Sequence, residues 1–150
     1  MESIIDFLIA SFEGLGLYST IKGLGDHLAG FDMQGTWNGP NVYLNVCLTM
    51  FVTCALFVFN YYYGLFNRVK FSVIWYWISN LAICVLIVGG IAYGYAARDL
   101  PAGMHSNQIH FSDTDCIGFG STAAIYSALL FVIFSLIFKW GSRNQSKIPF

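Results

Sequence analysis

The side chains with the widest chemistry lie outside the apolar stretches of this chain. His105, His110, Asp113 and Asp115 share one polar loop, and Asp26 and His27 stand in a glycine-rich stretch nearer the N-terminus. Imidazole and carboxylate suit borderline or hard cations, but a compact site needs its ligands at short, regular spacing. These positions do not provide that spacing, so no metal is expected. Ser106, Ser112 and Thr114 are close to the histidines in sequence, yet no strand-turn-helix elbow frames a nucleophile. The glycine stretches lack a following Lys-Ser/Thr that would mark a phosphate cradle. Cys47, Cys54, Cys84 and Cys116 fall in or at the edge of apolar stretches and form no CxxC pair, so they read as small buried apolar residues. The expectation is a non-enzymatic chain without a cofactor.

Two further acids are functional suspects. Asp6 and Glu13 occupy residues 3–21, SIIDFLIASFEGLGLYSTI, and their spacing of seven places them on one helix face with Thr20. An interfacial helix would be expected to carry Lys or Arg on that face, and none precedes Lys22. A spanning or re-entrant helix must instead hide both acids against other helices or a water-filled path, each costing ~2.5–3.5 kcal/mol at the helix centre. Length and all-round apolarity favour the second placement. In a symmetric oligomer Asp6, Glu13 and Thr20 would then line the bundle interior or a cation path.

The stretch Ile117-Gly118-Phe119-Gly120 resembles the filter run of potassium channels, whose carbonyls line a pore. Cys116 stands where that pattern has threonine, and Ser121 where it often has aspartate. The preceding PAGMHSNQIHFSDTD is too polar for a pore helix. Residues after Gly120 are also barely enough for one membrane crossing. We therefore read Ser112 to Asp115 as the capped start of a helix that begins near Cys116, with acids at the positive end of the helix dipole.

The elements that must position these residues follow from composition. The chain has 150 residues, of which 57% are hydrophobic, 18% aromatic and 10% charged, far from soluble usage. Residues 43–66, 71–97 and 116–138 are apolar and free of Asp, Glu, Lys and Arg, and each exceeds the ~20 residues needed to cross hydrocarbon. The fold expected is an all-α integral membrane protein, a small bundle of four transmembrane helices, or of three if residues 3–21 do not span. All 150 residues form one membrane domain with an outer loop at 98–115. MESIIDFLIA has acids where a signal peptide has bases, so the first membrane helix is expected to act as its own insertion signal.

Arg68 and Lys70 in the 67–70 turn, and Lys139, Arg143 and Lys147 after the last span, place those segments in the cytoplasm by the positive-inside rule. Tyr61, Tyr62, Tyr63, Trp75, Trp77 and Trp140 then mark the inner interface, and Trp37, Tyr43, Tyr93 and Tyr95 the outer one. A net charge of −1 gives no footprint for nucleic acid.

Small residues at spacing four suggest close helix contacts. Gly120, Ala124 and Ala128 form one such face, extended by Gly118 and Thr122; Gly90 and Gly94, with the offset pair Ala92 and Ala96, form another. Asn45, Asn60 and Asn80 are polar residues inside spans, with Asn60 and Asn80 expected to bond between helices. With little mass outside the membrane, the chain reads as a structural subunit that oligomerises or co-assembles with other membrane helices. A secretion or conjugation machine of the bacterial inner membrane is an architecture of this kind. The competing reading is a homo-oligomeric channel lined by Asp6 and Glu13.

Overall fold

The computed structural model describes residues 42–63, 74–98, 100–101 and 111–140, together with Leu28. Three long helices account for nearly all of them: α1, Val42–Tyr63; α2, Ile74–Ala97; and α3, Asp113–Lys139. They contain 22, 24 and 27 residues. At ~1.5 Å per residue each is longer than the ~30 Å of a hydrocarbon core. All three are long and apolar enough to cross a membrane, which marks the chain as a multi-pass integral membrane protein. Residues 3–21, expected as a fourth span, lie outside the described residues, and Asp6, Glu13 and Thr20 lie there with them.

The helices have the boundaries that local chemistry sets. α3 starts at Asp113, earlier than the expected start near Cys116, because Ser112 and Asp115 form a reciprocal cap. The amide of Asp115 donates to the Ser112 carbonyl at 3.0 Å, while the Ser112 amide and hydroxyl donate back to Asp115 Oδ2 at 2.6 and 2.9 Å. Asp115 thus plays the part of the glutamate in a capping box. Asp113 and Asp115 occupy the first turn and Lys139 the last, matching the helix dipole at both ends.

Only 22–28% of the apolar window of each helix is buried inside the molecule, so most of its surface faces outward. The buried residues follow a simple rule. On α1 they include Val46, Met50, Cys54, Val58 and Tyr62; on α2, Asn80, Cys84, Val88, Ala92 and Ala96; on α3, Phe119, Ala123, Ser127, Phe131 and Ser135. Each set is spaced by four, the row that winds obliquely across a helix surface.

The chain divides into two compact units, Met1–Leu48 with Gly89–Ala123, and Thr49–Val88 with Ala124–Phe150. In the first, the start of α3 packs on the end of α2 with Gly120 at the closest point. A Cβ placed on Gly120 would be 3.0 Å from the Gly89 carbonyl oxygen and 3.1 Å from Tyr93 Cβ. The start of α1 adds Tyr43, whose ring meets Phe119 edge-on at 5.6 Å. At the exposed end of this unit Tyr93 donates its hydroxyl to Asp113 Oδ1 at 2.9 Å, fastening α2 to the first turn of α3.

In the second unit the contacts are aromatic and polar. Phe51 meets Phe134 at 5.0 Å, and Trp77 meets Phe131 at 5.6 Å, both edge-on. Near the end of α1, Phe59 stacks on Tyr63 at 5.4 Å, and both rings are edge-on to Phe138. The Tyr63 hydroxyl donates to the Phe138 carbonyl at 2.9 Å, using an acceptor in the last turn of α3.

The Gly120 contact gives a direct test. Because the neighbour is backbone, Gly120→Val is expected to lose about 1–3 kcal/mol through overpacking. Gly90→Ala is expected to be neutral or to gain up to about 1 kcal/mol, because a Cβ there meets nothing within 4 Å. Equilibrium unfolding in detergent micelles measures both, and a Gly120→Val protein as stable as the parent would contradict the contact.

Candidate functional site

Polar side chains in an apolar helix find acceptors mainly on their own backbone, three or four residues back. Thr122 donates to the Gly118 carbonyl at 2.9 Å, Ser127 to Ala124 at 2.8 Å, and Ser79 to Trp75 at 2.8 Å. Asn80, expected to bond between helices, donates to the Tyr76 carbonyl of its own helix at 2.9 Å. Asn60 is half-buried on α1.

Ser135 behaves differently. Its hydroxyl oxygen accepts from Trp77 Nε1 at 2.9 Å and shares a 2.7 Å hydrogen bond with the Tyr62 hydroxyl. One oxygen of α3 is thereby joined to α1 and α2 at once. Tyr62 and Ser135 are fully buried and Trp77 nearly so. The adjacent Tyr61 is also fully buried, with its ring edge-on to Tyr62 at 5.1 Å, and its hydroxyl meets no partner among the described residues. This cluster has the residue types of a binding site but not of a catalytic one, because an indole N–H and a phenol cannot serve Ser135 as a general base at neutral pH. Its chemistry is to hold three helices in register.

A second polar contact lies nearer the middle of the helices, where Cys54 Sγ and Cys84 Sγ are 3.6 Å apart and Cys54 also donates to the Ser127 carbonyl at 3.5 Å. Among the described residues no three His, Cys, Asp or Glu side chains gather as metal ligands. His105, His110, Asp26 and His27 lie outside the described residues. Asp113 and Asp115 are engaged with Tyr93 and Ser112.

The glycine positions separate by environment. Gly120 is buried against α2, Gly118 is half-buried with its carbonyl serving Thr122, and Ala124 and Ala128 are half-buried. Gly90 and Gly94 are exposed, with open space where a side chain would be. Residues 117–120 are α-helical within α3. Their carbonyls therefore point along the helix and cannot line a pore as a filter would.

Sequence reasoning missed Ser135, because a lone serine in an apolar run is unremarkable by type. The available signal was its place in the row Phe119, Ala123, Ser127, Phe131, Ser135. No protein-family model matches this chain, and no curated protein and no solved structure matches it.

The shared hydroxyl sets an expected cost. Ser135→Ala removes the hydroxyl that accepts from the Trp77 N–H and bonds the Tyr62 hydroxyl, and should lose about 1–3 kcal/mol. Ser79→Ala, whose bond is local and exposed, should lose less than about 0.5 kcal/mol. Unfolding in micelles compares the two, and equal losses would remove Ser135 as the point that joins the helices.

Proposed function

We propose that the chain is a non-enzymatic, polytopic membrane subunit that associates with itself or with other membrane helices as a structural component of a larger envelope complex. Secretion or conjugation machinery of a bacterial inner membrane is the kind of assembly envisaged, with the 67–70 turn and the C-terminal segment in the cytoplasm. The observation that carries this reading is the outward pair Gly90 and Gly94 on α2. Internal packing already uses Gly120, Ala92 and Ala96. Gly90 and Gly94 leave a bare strip of helix where another helix backbone can approach closely, which is how helices associate in lipid.

The apolar outward faces of α1 and α3 support the same reading. Leu48, Leu56, Leu129 and Ile137 are all more than half exposed, so these faces suit lipid or apolar helices and offer little with which to hold a soluble substrate. The polar groups of Ser135, Tyr62 and Trp77 are turned inward to each other.

Replacing both glycines tests the proposal without disturbing the internal packing. After chemical cross-linking in native membranes, the parent protein is expected to migrate as an assembly and the Gly90→Leu/Gly94→Leu protein chiefly as the single chain. An assembly that survives the double substitution would contradict the role given to this face. A parent protein that assembles only with itself and conducts cations in liposomes would replace the subunit reading with a homo-oligomeric pore.

A further inference from the structure

The four cysteines are all free thiols, and two of them face each other. Cys54 on α1 and Cys84 on α2 are fully buried, with their sulfurs 3.6 Å apart. Cys54 also donates to the Ser127 carbonyl at 3.5 Å, so the pair sits where α1 and α2 meet α3. The pair lies deep in the span: at ~1.5 Å per residue, Cys54 is about 18 Å from the first residue of α1 and Cys84 about 15 Å from that of α2. Among the described residues neither Cys47 nor Cys116 has a second thiol beside it. A disulfide needs its sulfurs at ~2.05 Å, so the two, 3.6 Å apart in the packed helices, must close by about 1.6 Å. The product is uncharged, as an apolar interior requires.

We infer that Cys54 and Cys84 are a dithiol–disulfide pair whose oxidant is a lipid hydroperoxide, a peroxide that dissolves at the depth of the pair. In the first step the peroxide O–O bond breaks, one thiol becomes a sulfenic acid, and the hydroperoxide leaves as the lipid alcohol. In the second, the other sulfur attacks the sulfenic sulfur, the S–S bond forms and the S–O bond breaks. The departing hydroxyl takes the attacking thiol's proton and leaves as water. Two thiols and one hydroperoxide become one disulfide, one alcohol and one water, with two electrons passing from sulfur to the peroxide. Because packed side chains cover both thiols, the first step occurs when α1 and α2 separate. The disulfide then locks them in their packed arrangement. This chemistry is independent of any co-assembly.

The test uses the full chain in phosphatidylcholine vesicles containing a phospholipid hydroperoxide, followed by denaturation in an alkylating reagent and mass analysis without reductant. Two of the four cysteines should escape alkylation and map to one peptide linking Cys54 to Cys84, two hydrogens lighter and restored by reductant. The Cys47→Ser/Cys116→Ser protein should keep this link. Cys54→Ala should abolish it and leave Cys84 as a sulfenic acid captured by dimedone. Alkylation of all four thiols in the parent protein would overturn the proposal, as would oxidation confined to Cys47 or a cross-link that persists in Cys54→Ala.

Discussion

Lipid removes the force that packs soluble proteins, and the described helices are organised around that loss. Hydrocarbon chains are as apolar as leucine, so two helices gain nothing by hiding Leu or Ile from lipid. What remains is the quality of van der Waals contact and hydrogen bonds with no water to compete for them. The residues that face outward and inward reflect this. Leu48, Leu86 and Leu129 face out, whereas the buried residues of the three helices combine Val, Phe, Tyr and Trp with Ala, Cys, Ser, Thr and one closely packed Gly.

The same constraint explains where the polar groups are. A hydroxyl or amide facing hydrocarbon without a partner is costly, and the carbonyl four residues back is always within reach. Thr122, Asn80 and Ser79 take that route. Ser135 instead serves partners on two other helices, and so specifies their rotation about their own axes as well as their proximity. In the other unit Gly120 sets how near α3 comes to the backbone of α2. One contact works by hydrogen bonding and the other by the absence of a side chain.

Much of this architecture is legible in the residues. Charge-free runs longer than a membrane crossing identify all three helices, and Ser112 to Asp115 announce the start of α3. The exact start at Asp113 depends on Asp115 reaching back to the Ser112 amide, which a list of residue types does not show. Facing is harder to read. In a soluble helix, polarity marks the outer side, but both sides of α2 are apolar and both carry small residues. The pair Ala92 and Ala96 is buried while Gly90 and Gly94 are exposed, and spacing alone treats them alike. Cys54 and Cys84 are 30 residues apart, so their meeting is a product of helix packing that no local pattern encodes. Asp6 and Glu13, the acids that motivated a channel reading, lie outside the described residues.

On α3 the row Phe119, Ala123, Ser127, Phe131 and Ser135 faces protein while Ile125, Leu129, Ile133 and Ile137 face outward, and the packing of the three helices depends on that division. Spin labels placed singly along residues 125–137 of α3 in lipid vesicles, with collision rates measured for oxygen and for a polar nickel chelate, report it directly. Oxygen accessibility should be lowest at Ser127, Phe131 and Ser135, which are fully buried, and highest at Leu129, Ile133 and Ile137, which are 56%, 52% and 61% exposed; the chelate should reach none of them. An oxygen profile without this periodicity, or free access of the chelate along the exposed positions, would contradict a helix that crosses the bilayer with this face against its neighbours.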